Sequence, residues 1–310
     1  MPHVNECLEY IKGLHPDYTR NIPLHFNLTD ARVVRSIIRP RKIFSHKGDY
    51  GNGGLIAGSE GMMGAAALCA MAFMRSGGGK LTCHLPSADN IIMQIAVPEA
   101  MVKKEPGTDH IESVSSLEKY DVVGIGPGIG SYESHEKLLH HIFTTFRKPL
   151  VIDADALNTI AKNKILLKEI PSGSVLTPHV KEFERLFGET SNESDRINQA
   201  LEKAVQHNII IVLKGPFTLV ALPQGTAHFN TTGNPGMATG GSGDVLTGIV
   251  TGLIAQRYLP EQAAILGVYL HGLSGDLAAA DLSEEAMISG DLVNYLGKAY
   301  KSLIVNNADQ

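Results

Sequence analysis

The chain has 310 residues, a formal net charge of -5, 43% hydrophobic and 19% charged residues, the balance of an ordinary globular protein with one large or two small domains and enough length for a sizeable core. A mildly acidic chain lacks the basic face that duplex nucleic acid needs, so no nucleic-acid partner is expected. A small anionic ligand stays open, because a few backbone N–H groups and one lysine suffice to bind a phosphate.

The opening Met1-Pro2-His3-Val4 has no basic region followed by an apolar run, so no signal peptide is expected. Residues 1–40 carry many charges and several prolines, with no obvious strand. They read as an arm or linker that packs on the body or on a neighbouring subunit, ahead of a main domain spanning residues 41–305. From Leu55 onward apolar strand-like runs alternate with helical stretches. Leu55-Ile56-Ala57 precedes a helix over Met62 to Met74, and Lys80 to Leu85 follows as a strand. Within that helix, Gly64 to Met74 is the longest membrane-like stretch. It is too short to span a bilayer and ends at Arg75, so it reads as a buried helix and no membrane partner is expected. Further strands are Asp121 to Ile125, Pro149 to Asp153, Ser174 to Thr177 and Ile209 to Leu213. Continuous apolar strands separated by helices predict a parallel sheet with helices on both faces.

After Ile209 the pattern changes. Phe217 to Leu222 and Thr226 to Phe229, joined by Pro223-Gln224-Gly225, predict an antiparallel pair at a sheet edge. Val245, Leu246, Ile249, Val250, Leu253 and Ile254 recur at helical spacing, with Gly248 and Gly252 permitting close packing. The next helix, Glu261 to Ala280, is apolar on most sides and reads as buried. The three cysteines, Cys7, Cys69 and Cys83, are odd in number and widely spaced. They form neither a disulfide framework nor a zinc pattern, which suits a reducing cytoplasm.

The segment Asn230 to Leu246 carries the strongest chemical signal. Glycines at 240, 241 and 243 leave backbone N–H groups unobstructed, and a helix starts directly after them. Free N–H groups and the helix dipole favour a phosphate there. Asp244 falls in the first helical turn, where the positive helix end is expected to keep it ionised. An ionised carboxylate beside a phosphate chain is placed to take a proton from a hydroxyl. A plain glycine-rich turn capped by Asp244 fits the same residues. Two familiar phosphate motifs fail. Gly79-Lys80 is followed by Leu81 rather than Ser or Thr, and Gly124 to Gly130 has Ile129 at the sixth position and Pro127 within it.

Five weaker elements fall at predicted carboxyl ends of strands, the edge where open α/β sheets bind ligands. Ala57-Gly58-Ser59 with the following small residues could admit a flat ligand or allow close helix packing. Gly126-Pro127-Gly128 could admit a ligand or form a tight turn. Asp153 and Asp155 could hold Mg²⁺ through water or cap a helix. His179 could bond a ligand or cap the next helix, and Lys214 could pair with a phosphate or be solvated.

Together these residues resemble the NAD(P)H-hydrate dehydratase family, of ribokinase-like carbohydrate-kinase type. His46-Lys47-Gly48, Ala57-Gly58-Ser59, Gly64-Ala65-Ala66, Gly126-Pro127-Gly128, Asp153 to Leu157, Leu176 to His179, Leu213-Lys214-Gly215 and Thr232 to Leu246 carry the resemblance, from about His46 to Tyr295. It implies a ribokinase-like three-layer α/β sandwich with a mainly parallel sheet. It also implies dehydration of the S epimer of hydrated NADH or NADPH (NADHX, NADPHX), with ADP or ATP as co-substrate and Mg²⁺ as cofactor. Asp244 would be the catalytic base, and Gly240, Gly241, Ser242 and Gly243 the anion hole. Lys214, Gly215, Pro216, Phe217, Thr218 and Gly243 would contact the nucleotide. Ala65, Gly128, His179, Asn234 and Asp244 would line the substrate site. No metal ligands are assigned. The resemblance further implies a homotetramer, and an epimerase domain on a fused or separate chain, to which residues 1–40 would be a linker remnant. A vitamin-precursor kinase of the same fold would use the same aspartate and anion hole. The Thr232 to Gly236 stretch favours the dehydratase.

Overall fold

A computed structural model describes residues 3–304 apart from Asn21 and Asp89. Ten strands form one sheet: β1 (Phe26–Thr29), β2 (Asn52–Ile56), β3 (Lys80–Leu85), β4 (Met101–Lys104), β5 (Val122–Ile125), β6 (Leu150–Ile152), β7 (Val175–Leu176), β8 (Ile210–Leu213), β9 (Leu219–Ala221) and β10 (Ala227–Asn230). Their spatial order is β1-β10-β9-β8-β7-β6-β5-β2-β3-β4. Only β9 runs antiparallel to its neighbours.

Each central strand is apolar on both sides, and alternate residues feed two separate cores. Leu55, Val122, Val151, Val175, Ile210 and Val212 face one layer. It is built from α2 (Ala31–Ile37), α3 (Met63–Arg75), α4 (Asn90–Ala96), α9 (Ser242–Ala255), α10 (Pro260–Leu282) and α11 (Ser289–Ile304). Ile56, Val123, Ile125, Ile152, Leu176 and Ile211 face the other. That layer holds α1 (Val4–Leu14), α5 (Ser134–Thr145), α6 (Ala154–Lys162), α7 (Val180–Phe187) and α8 (Glu193–His207). The result is a helix–sheet–helix sandwich.

Two expectations are corrected. The opening segment is not strand-free: β1 pairs in parallel with β10, so the β9–β10 pair is covered and β1 forms the edge. Phe26 drives this, packing edge-on against Phe229 with ring centroids 5.2 Å apart. Asp30 then starts α2 by accepting the Arg32 and Val33 amides. The second correction concerns the longest apolar helix. It is α10, with 23 residues, rather than the Gly64 to Met74 run. It has the length and apolarity of a membrane span, but 67% of its most apolar window is buried within the fold.

Helix α9, which carries the glycine loop at its start, lies along α3. A Cβ on Gly248 would stand 2.1 Å from the Cys69 carbonyl oxygen, so the helices touch backbone to backbone. Gly248→Ala is therefore expected to cost about 3 kcal/mol by overpacking. Gly13→Ala in α1, where nothing lies within 4 Å, is expected to be neutral or stabilising by up to about 1 kcal/mol. Thermal melts of the two variants compare them. Equal melting temperatures would contradict the close contact.

Candidate active site

The carboxyl ends of β2, β5, β6, β7 and β8 bring the weak sequence elements to one edge, and α9 points its N-terminus at them. Gly241 occupies the left-handed region at φ 92° and sets the turn into the helix. No side chain caps this end. The amides of Gly240, Gly241, Gly243 and Asp244 find no acceptor among the described residues. The Ser242 amide reaches the Thr239 carbonyl at 3.4 Å. Of the expected anion hole, Gly240, Gly241 and Gly243 thus keep free donors, and Ser242 closes the turn. The loop is held from behind: Ser289 donates its hydroxyl to the Gly240 carbonyl at 2.7 Å.

Lys214 reaches in from the end of β8. Its ammonium lies 3.0 Å from Asp153 Oδ1 and 3.9 Å from Glu182 Oε2. Burial opposes its charge, but Asp153 and then Glu182 more than offset this, and its pKa is raised. Lys214 is thus an ion-paired lysine rather than a freely solvated one. Asp153 is 1% exposed and also accepts the Thr247 hydroxyl from α9 at 2.8 Å. Gly243 packs directly over this pair, since a Cβ there would stand 3.2 Å from Lys214 Nζ.

Asp244 contradicts the expectation from the helix dipole. Burial above all, and then the charge of Asp153, push its carboxyl up to about 7, with Lys214 offsetting part of the rise. The dipole is a local effect worth at most a few kcal/mol. Here it competes with desolvation and with Asp153, Asp155 and Glu182. The outcome is a group that changes charge near neutrality, which suits a proton acceptor.

Neither acidic residue after β6 caps α6 through its side chain. Asp155 instead accepts the Gly130 amide at 2.9 Å and so ties α6 to the loop after β5. In that loop Gly126 packs on the Asp153 carbonyl oxygen, 1.8 Å from where a Cβ would sit. Gly128, at φ 63°, packs against α3 and the turn before it: a Cβ there would stand 2.8 Å from the Met62 carbonyl oxygen and 3.0 Å from the Ala65 Cβ. Ser59 donates its hydroxyl to the Gly128 carbonyl at 2.8 Å. Ala65 and Gly128 are therefore neighbours in the structure.

His179 caps α7. Its Nδ1 accepts the Glu182 amide at 3.3 Å, while Glu182 accepts the His179 amide at 2.9 Å. The imidazole remains half-exposed at the mouth of the site. Capping and ligand contact are thus compatible. Phe217, in the Lys214 to Thr218 segment, packs against Tyr10 of α1 with the rings tilted and their centroids 5.2 Å apart, so the opening segment buttresses the loop after β8. Asn234 is engaged within the protein: its amide donates to Asp276 at 3.1 Å and its carbonyl accepts the Gly236 amide at 3.0 Å. These bonds shape the loop, and among the described residues the Asn234 side chain makes no hydrogen bond to Asp153, Lys214, Glu182 or Asp244.

Sequence reasoning missed Glu182, Thr247, His271 and Asp276. Glu182 was detectable as the acidic residue three places after His179, the spacing of a capping box. His271 on α10 is pushed down to about 4, first by burial, and is neutral at pH 7. Its Nε2 lies 3.0 Å from the Ser242 carbonyl oxygen. A carbonyl only accepts, so this nitrogen carries the hydrogen and pins the start of α9. Among the described residues no group of three or more His, Cys, Asp or Glu is arranged to hold a metal. Of the acidic residues after β6, Asp153 is engaged by Lys214 and Thr247, and Asp155 by the Gly130 amide.

A sequence model described as NAD(P)H-hydrate dehydratase matches residues 54–298. The ADP-dependent (S)-NAD(P)H-hydrate dehydratase of Bacillus subtilis is 37% identical over 272 residues, covering 86% of this chain and 95% of that protein. The bifunctional NAD(P)H-hydrate repair enzyme of Thermofilum pendens is 38% identical over 276 residues, covering 85% of this chain. This chain spans about half the length of that relative, 52%. The crystal structure of the ADP/ATP-dependent NAD(P)H-hydrate dehydratase from Bacillus subtilis, co-crystallised with ATP/Mg²⁺, superposes with a TM-score of 0.78 at 33% identity. It covers 91% of this chain and 100% of that one.

Proposed function

The chain belongs to the NAD(P)H-hydrate dehydratase family, and from that premise we propose that it is a lyase that restores NADH and NADPH from the S epimers of NADHX and NADPHX at the expense of ADP or ATP. The observation that carries the reading is Asp244: a carboxylate with a pKa of about 7 in the first turn of α9, beside unpaired amides.

In this reading the terminal phosphate of the nucleotide lies over the amides of Gly240, Gly241 and Gly243. These donors stabilise the charge of the transferring phosphoryl group. Lys214 to Thr218 hold the rest of the nucleotide, with Phe217 braced by Tyr10. The nicotinamide half lies between Ala65, Gly128 and His179. Asp244 takes the proton of the C6 hydroxyl as its oxygen attacks the terminal phosphorus, and the bond from phosphorus to the nucleotide breaks. The C6–O bond then breaks. Phosphate leaves with the electron pair, a proton is lost from C5, and the C5=C6 double bond of NADH is restored. Hydroxide is a poor leaving group and phosphate a good one, which is why the nucleotide is consumed. Mg²⁺ would arrive on the nucleotide's phosphates, as is usual for an ion that takes few protein ligands.

The assembly we propose is a homotetramer. Ile91 and Ile95 on α4 and Met101 on β4 are 61%, 77% and 51% exposed, an apolar surface that suits self-association. Light scattering measures it. A cytoplasmic setting agrees with three cysteines that are all free and buried. An epimerase on a fused or separate chain would convert the R epimer into the usable S form.

Chemically prepared NADHX, Mg²⁺ and either ADP or ATP test the reading. NADH absorbance should return with one phosphate released per NADH. A stable phosphorylated alcohol with no NADH would point instead to a kinase of the same fold.

A further inference from the structure

The site as described accounts for the nicotinamide ring and the nucleotide, yet the proposed substrate is a dinucleotide with a pyrophosphate and a second nucleoside. Ala65 and Gly128 lie beside β5, and His179 follows β7. In the sheet β6 lies between them. A substrate touching both sides must cross the start of α6, at Ala154 and Asp155.

An open pocket of about 450 Å³ lies beside that crossing, lined by Ser131, Asp155, Asn158, Ala161, Lys162 and Arg185. It shares Asp155 with the Gly126 to Gly130 loop, through the bond to the Gly130 amide at 2.9 Å. Two cations stand in it. Lys162 donates to the Ser131 hydroxyl at 2.6 Å, and Arg185 donates to Oδ1 of the Asn158 side chain at 2.7 Å. Neither has a carboxylate partner among the described residues. Lys214, by contrast, is already paired with Asp153. Asp155 lines the same pocket and accepts the Gly130 amide, so two cations share the pocket with one carboxylate and its net charge is positive.

We infer that Lys162 and Arg185 form a subsite for a phosphate group of the dinucleotide substrate, outside the catalytic centre; this rests on the dehydratase reading above. Arg185 offers a planar fork of donors and Lys162 a mobile point charge, a combination suited to a phosphate oxygen set. The helices α6 and α7 that carry them begin at the catalytic edge, at Ala154 and after His179. The subsite is thus rigidly connected to the place where the ring reacts.

The test is steady-state kinetics of Lys162→Ala, Arg185→Ala and the double variant with NADHX and with NADPHX at saturating nucleotide. KM for the hydrated dinucleotide should rise about fivefold in each single variant and more than about tenfold in the double variant. Turnover number and nucleotide KM should hold. Equal effects on both substrates identify the pyrophosphate as the bound group, and an effect on NADPHX alone identifies the 2′-phosphate. Lys162→Arg, which keeps the charge, should retain a KM close to that of the parent. An unchanged KM for both substrates in the double variant, with the parent protein turning over, would overturn the subsite alone. So would an equal KM rise in Lys162→Arg. A parent protein that turns over neither substrate removes the dehydratase reading, and the subsite with it.

Discussion

Asp244→Asn is expected to lower turnover of NADHX about a thousandfold, the usual contribution of a positioned proton acceptor, while leaving nucleotide affinity nearly intact. The amide keeps the size and the helix position of the carboxyl but cannot accept the hydroxyl proton. In the parent protein kcat/KM should rise with pH through a midpoint near 7, where the Asp244 carboxyl ionises. The same substitution should stabilise the fold in alkaline buffer. The folded-state pKa of Asp244 lies above the ordinary 3.8, so between these values the native protein holds a proton that the unfolded chain has released. Stability therefore falls as pH rises through this window, and the cost is complete above about 7. Asparagine carries no such cost. Allowing for the partial exposure of the group, we expect Asp244→Asn to gain about 2 kcal/mol at pH 8 and nothing at pH 3. Melting curves at the two pH values measure this. A variant less stable than the parent at pH 8 would contradict the placement of Asp244 in a buried position beside Asp153.

Lys214→Met should be the most destabilising change in the site, by about 3 kcal/mol above pH 7, because a buried carboxylate loses its counter-charge. Asp153 is 1% exposed, and only the Thr247 hydroxyl would remain on it. Adding Asp153→Asn should recover most of the loss, as removing both charges of a buried pair commonly does. The two single variants should also move Asp244 in opposite directions. Lys214 lowers its pKa and Asp153 raises it. The midpoint of kcat/KM should thus lie above 7 in Lys214→Met and below 7 in Asp153→Asn. Shifts in the same direction would break the proposed coupling. Nucleotide KM should rise in Lys214→Met as well, because the lysine lies under Gly243 at the turn proposed to hold the phosphate.

The central sheet was legible because its strands are short, continuous apolar runs between helices. The registered strands β2, β3, β5, β6, β7 and β8 fall within or next to the predicted segments. The edges were not legible. Strand β1 is four residues flanked by charge and proline, and β4, Met101–Lys104, carries two lysines and little apolar surface. Such strands are specified by what they pair with, and lysines on an edge also discourage further pairing.

The site was half legible for a similar reason. Glycines and the first turn of α9 are local, so the free amides followed from the sequence. The protonation of Asp244 did not, because it depends on Asp153, which is brought close only by the fold. The Lys214–Asp153 bond spans 61 residues, and the Asp276 bond to the Gly233 amide spans 43. No spacing rule reaches across such distances. Arg185 and Lys162 lie on adjacent helices and read in sequence as ordinary solvated charges.

The most direct test of the chemistry follows the oxygen. NADHX prepared with ¹⁸O in the C6 hydroxyl is turned over with nucleotide in unlabelled water, and the released phosphate is weighed by mass spectrometry. Phosphorylation of the hydroxyl by the nucleotide, with Asp244 as the proton acceptor, predicts one ¹⁸O atom in each phosphate released. Unlabelled phosphate, with the label in water, would mean that nucleotide hydrolysis and dehydration are separate events, and would contradict the role given to Asp244.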